Sequence, residues 1–104
     1  MARKVYEQAL PHVRSKDRFH NLVGLMHYYE GRMADAIIHY KQALDLNSAE
    51  PVYWSNLGLA YRDAANLREA ETAMLKAVSL DGGDKYAGRL KEIRSLIEQT
   101  GGKK

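Results

Sequence analysis

Four histidines, His12, His20, His27 and His39, are the residues of this 104-residue chain best suited to chemistry. An imidazole can ligate a metal or move a proton near neutral pH. His20 and His27 lie seven residues apart on one helical stretch. They therefore share a face but stand two turns from each other, too far apart to hold one metal unaided. The competing reading, a pair of core imidazoles, is favoured. Buried and neutral, they would have folded pKa values below the unfolded ones, and stability would be lost on acidification to about pH 5–6. Asp35, Glu69 and Glu71 do not converge with a histidine or serine into a nucleophilic set. Gly82-Gly83 and Gly101-Gly102 read as a turn and a tail, and no glycine loop is built to cradle phosphate. The absence of cysteine excludes disulfides, thiolate metal sites and thiol nucleophiles. The expectation is a chain with no enzymatic activity, no metal and no cofactor.

The length allows one domain with a modest core, and 45% hydrophobic residues argue against disorder. A formal net charge of +3 comes from interspersed charges. The small cluster Arg14, Lys16 and Arg18 reads as a solvated turn, so nucleic acid is a weak expectation. With no apolar leader and no run approaching about 18 apolar residues, a cytoplasmic chain is favoured.

The elements that position these residues recur. A shift of 34 residues aligns Ala2, Ala36 and Ala70, then Tyr6, Tyr40 and Met74, then Ala9, Ala43 and Ala77, then Leu10, Leu44 and Val78. It also pairs His20 with Trp54, Val23 with Leu57, Gly24 with Gly58 and His27 with Tyr61. Each copy holds two stripes of helical period, which predicts helices near 2–13, 17–30, 33–46, 50–64, 67–80 and 84–99. Pro51 suits the first turn of its helix, Gly31 a turn, Asn66 and Asp84 N-caps, and Gly101 a C-terminal stop. Pro11 falls late in the first helix, where it removes one backbone bond.

Gly24 and Gly58 each cost a helix about 1 kcal/mol relative to alanine. A recurrence of that cost indicates close helix approach, with Tyr40 and Met74 as the side chains admitted. Ala36, Ala43, Ala70 and Ala77 let successive hairpins stack. The last helix carries one narrow stripe, Tyr86, Leu90, Ile93 and Ile97, among charged residues, as a cap does.

Trp54-x2-Leu57-Gly58-x2-Tyr61, followed by Ala70-x3-Met74-x2-Ala77, resembles the tetratricopeptide repeat, a 34-residue helix–turn–helix. His20-x2-Val23-Gly24-x2-His27 and Ala36-x3-Tyr40-x2-Ala43 form a substituted copy. The resemblance implies an all-α fold: a right-handed α-solenoid of antiparallel helix pairs, about six helices with a C-terminal capping helix. It divides the single domain 1–104 into a half repeat 2–16, repeats 17–50 and 51–84, a solvating helix 85–100 and a polar tail 101–104. The family's usual proline after the second helix is replaced by Ser48 and Gly82, either of which can end a helix. A start halfway through a repeat reads as a piece cut from a longer array, the alternative being a natural incomplete repeat.

In this family the first helices line a concave groove where peptides commonly lie. The matching positions are Arg18, Asn21, Leu25, Tyr28 and Tyr29, then Val52, Ser55, Asn56, Leu59, Arg62 and Asp63, with Tyr86 and Arg89 from the last helix. Packing between neighbouring helices is the alternative role for Leu25, Leu59 and Tyr29, and both stay open. One subclass clamps carboxyl-terminal chaperone peptides with Lys and Asn, then Asn, then Lys and Arg. Asn56 alone matches; Asn21 and Leu25 stand at the first pair and Tyr86 and Leu90 at the last, which counts against chaperone binding. The implied function is a non-catalytic scaffold binding a partner peptide or protein. The alternatives are self-association through an apolar edge at Val5, Tyr6 and Val13, nucleic-acid binding, and a regulatory fragment of a larger protein.

Overall fold

A computed structural model describes residues 16–100. The helix expected over 2–13, its Pro11, His12, Arg14, the edge of Val5, Tyr6 and Val13, and the Gly101 stop with its tail lie outside the described residues. The described residues form five helices and no strand: α1 (Lys16–Tyr29), α2 (Met33–Leu46), α3 (Pro51–Asp63), α4 (Leu67–Asp81) and α5 (Ala87–Thr100). Each packs mainly on the next in sequence, with α1 also touching α3, which makes an all-α solenoid. None is long and apolar enough to cross a membrane.

The turns show what ends each helix. Gly31 adopts φ 81°, and Arg32 N–H donates to the His27 carbonyl at 2.8 Å to close α1. One repeat on, Ala65 takes the same left-handed conformation, φ 65°, and Asn66 N–H donates to the Tyr61 carbonyl at 2.8 Å. Alanine bears a steric cost there that glycine does not. Pro51 occupies the first turn of α3, as its missing N–H favours. Two caps differ from expectation. The Asn66 side chain makes no capping bond; its backbone carbonyl receives Ala70 N–H instead. Asp84 opens a turn rather than a helix, and α5 starts at Ala87.

The core is a strip in two linked parts. Ala36, Tyr40, Ala43, Leu44, Tyr53, Leu57, Ala60 and Ala73 form one. Ala70, Met74, Ala77, Tyr86, Leu90 and Ile93 form the other, and half-buried Trp54 and Tyr61 pack against both. Gly24 and Gly58 serve close approach: a Cβ on Gly24 would lie 2.6 Å from Tyr40 Cε1, and one on Gly58 3.1 Å from Met74 Cε. Polar groups also tie the repeats together. Tyr53 donates to Asp17 at 2.8 Å, and burial followed by that bond pushes its hydroxyl pKa up to about 12.

The last helix departs from the 34-residue period. Buried Tyr53, Leu57 and Ala60 of α3 recur as buried Tyr86, just before α5, and Leu90 and Ile93 within it, each 33 positions on. One residue fewer turns a helix by about 100°. Every side chain of α5 is thus displaced by one step from the position a strict 34-residue count assigns.

Candidate functional site

Side chains of α1 and α5 meet those of α3 along one side of it. The centre of that face is a polar network: Tyr28 Oη donates to Asp63 Oδ2 at 2.6 Å, and Arg62 Nε donates to Asp63 Oδ1 at 2.9 Å. Arg62 Nη1 reaches Glu92 of α5 at 3.2 Å. Asn56 Nδ2 donates to Asn21 Oδ1 at 2.8 Å, and Arg89 Nη1 to Ser55 Oγ at 2.8 Å. Burial raises the Tyr28 hydroxyl pKa, and its bond to Asp63 adds to the rise. Burial also pushes the Asp63 carboxyl up, but hydrogen bonds from Tyr28 and Arg62, with the Arg62 charge, outweigh it and hold the pKa below the usual range.

Two cavities open on this face. A small one of about 40 Å³ is lined by Leu25, Tyr28, Tyr29, Tyr40, Asn56 and Leu59. A larger one of about 270 Å³ is lined by Val52, Ser55, Asn56, Lys85, Tyr86 and Arg89. Lys85 and Arg89 both lie over the Tyr86 ring, at 5.4 and 5.9 Å from its centroid. Among the described residues neither is paired with a carboxylate, whereas Arg62 pairs with Asp63 and Glu92.

The residues expected in the groove fall into distinct roles. Leu25 and Leu59 pack on the core and also line the smaller cavity. Tyr29 is 75% exposed, so packing between helices is not its role. Ser55 is 1% exposed and anchors Arg89 from below. Tyr86 is buried beneath the two cations rather than reaching out. Arg18 is exposed and lines neither cavity. Lys85 and Glu92 were missed because the 34-residue count put Tyr86 and Leu90 at the last pair of the clamp positions. In the 33-residue register Lys85 and Arg89 stand there, four apart and beside Asn56, which corrects the expectation that cations are missing from that end. The signal was the apolar stripe of α5 itself, read against that of α3.

The opposite face of α3 holds the largest of these cavities, a groove of about 520 Å³ floored by Leu44, Trp54, Leu57, Tyr61 and Ala73 and rimmed by Lys41, Asp45, Arg68, Glu69 and Thr72. The histidines sit at the corresponding place one repeat earlier. His39, which periodicity did not single out, has its ring centroid 5.5 Å from both His20 and His27. Burial, then the neighbouring His20 and His27, hold its pKa below the ordinary histidine range. His27 is buried as expected, with no hydrogen-bond partner at Nδ1 among the described residues, whereas His20 is only half-buried.

Two family models match. One, described as TPR repeat, covers residues 24–63, and the other, described as tetratricopeptide repeat, covers 52–84. This chain belongs to the tetratricopeptide-repeat (TPR) family. Its TPR fold is similar to the crystal structure of the Sgt2 TPR domain from Aspergillus fumigatus, with a TM-score of 0.80 over 94% of this chain and 67% of that one at 24% identity. The chain is 32% identical over 74 residues to the Caenorhabditis elegans protein O-mannosyl-transferase F38B6.6, and 30% identical over 74 residues to the ycf37 protein of Pyropia yezoensis. Each match covers 71% of this chain but only 11% and 42% of those relatives, so this chain spans less than half the length of either.

Proposed function

We propose that this chain is a non-catalytic interaction module whose concave face holds an extended acidic segment of a partner protein. TPR repeats are protein-interaction scaffolds as a class, and the cavity between α3 and α5 supports the finer reading. Lys85 and Arg89 converge there beside Asn56 without a carboxylate of their own among the described residues. A partner carboxylate at that point accepts charge-assisted hydrogen bonds from both cations and a hydrogen bond from the Asn56 side-chain amide. Arg62 is engaged by both Asp63 and Glu92, so the centre of the face offers no free cation, and Tyr29 stands beyond it as an exposed aromatic.

The test is calorimetric titration with a hexapeptide ending in two aspartates and a free carboxyl terminus. The control replaces both with asparagine and amidates the end. The expected result is saturable binding of the acidic peptide, weakened at least tenfold by Arg89→Ala and by added salt. Equal binding of the two peptides, or indifference to Arg89→Ala, would refute the acidic-segment reading.

A further inference from the structure

We propose that His20 and His39 form a two-imidazole site for a divalent transition-metal ion, of which Zn²⁺ is the test case. Nδ1 of His20 and Nδ1 of His39 lie 3.3 Å apart, and their ring centroids 5.5 Å apart with planes 27° from parallel. The rings therefore meet by their nitrogen-bearing edges, not face over face. Zinc binds imidazole nitrogen at about 2.0–2.1 Å, so two such ligands at a tetrahedral angle stand about 3.3–3.4 Å apart. The observed spacing matches that value; without an ion it is a long N–H···N hydrogen bond between the two rings, which the ion replaces.

The site joins two helices, with His20 on α1 and His39 on α2, so it has a fixed spacing only in the folded hairpin. Neutral imidazole is the ligating form, and it is the ordinary form of histidine at pH 7.5. His20 and His39 are half-buried, which leaves room for water to complete the coordination sphere. Among the described residues no group of three or more His, Cys, Asp or Glu could hold a metal. The pair is consequently an open, two-ligand site of modest affinity. By position it lies on the α1 face that corresponds to Trp54 and Tyr61 of α3, away from the cavity at Lys85 and Arg89.

Calorimetric titration of the chelator-treated chain with ZnCl2 at pH 7.5 tests this, alongside ¹⁵N spectra of the histidine rings. The expected result is one saturable event in the micromolar range, with large shifts confined to Nδ1 of His20 and His39. His20→Gln and His39→Gln should each weaken it at least tenfold, while His27→Gln leaves it within twofold. The ring spectra of the unaltered chain read the ligands directly, so they stand even if a variant unfolds. No saturable binding below millimolar zinc overturns the proposal. So does binding that survives His39→Gln or shifts only the other histidines, since the ion is then adventitious.

Discussion

Replacing Gly24 with alanine tests the close approach of α1 and α2. The new Cβ would lie 2.6 Å from Tyr40 Cε1 and 2.7 Å from Tyr40 Cδ1. These are atoms of a rigid ring that is 1% exposed, so it has no free space into which to retreat. Overpacking of this kind costs about 1–3 kcal/mol, and the full confinement of the ring places the clash near 3. Alanine regains about 1 kcal/mol of helix propensity. The net loss is about 2 kcal/mol, or roughly 8–16 °C in Tm for a domain of this size. Gly58→Ala is the internal control. Its Cβ meets the flexible tip of Met74 at 3.1 Å and the Ala70 carbonyl oxygen at 3.3 Å, so the expected loss is under about 1 kcal/mol. Thermal and urea melts followed by far-ultraviolet circular dichroism measure both. On a Tyr40→Leu background the Gly24→Ala penalty should shrink, as coupled neighbours require. A Gly24→Ala chain as stable as the parent, or a penalty unchanged by Tyr40→Leu, would show that the ring is not what the glycine accommodates.

Acidification should act through His39. Its folded pKa lies below the unfolded value of about 6.5, so the associated stability is present above that pH and is lost as pH falls through the folded pKa. Melts between pH 7.5 and 5 should show a steeper decline in the parent than in His39→Gln. Tyr28→Phe removes the hydroxyl that donates to Asp63, and the Asp63 pKa should rise, as carboxyl ¹³C titration would record. Ala65→Gly relieves a left-handed alanine and should stabilise the chain by about 1 kcal/mol; destabilisation in a urea melt would contradict that account of the turn.

Periodicity made the repeat legible because packing constrains it twice over. The pairings Gly24 with Tyr40 and Gly58 with Met74 need a small and a large residue at fixed spacing. Pro51 and Gly31 announced their turns because few other residues serve there so readily. The N-caps did not follow composition, since Asn66 and Asp84 stand where a cap could form and make none. The candidate site was legible in part. Asn21, Tyr28, Asn56 and Asp63 share the expected face, but Lys85 was obscured by a register that loses one residue between α3 and α5. The histidine cluster was hidden for another reason: His39 comes near His20 only when the hairpin closes, and no single-helix stripe records that meeting.

The order of packing has a kinetic consequence. Each helix leans chiefly on its sequence neighbours, so loop closures are short and folding should be rapid. The same arrangement lets the ends peel away independently. α5 is held mainly by α4, and it carries one cation of the larger cavity while the turn before it carries the other. Its opening takes that cavity apart without melting α1 and α2. A partner that bridges Val52 or Asn56 on α3 to Lys85 or Arg89 therefore acts as a clasp on that end, and amide hydrogen exchange along α5 should slow in proportion to occupancy.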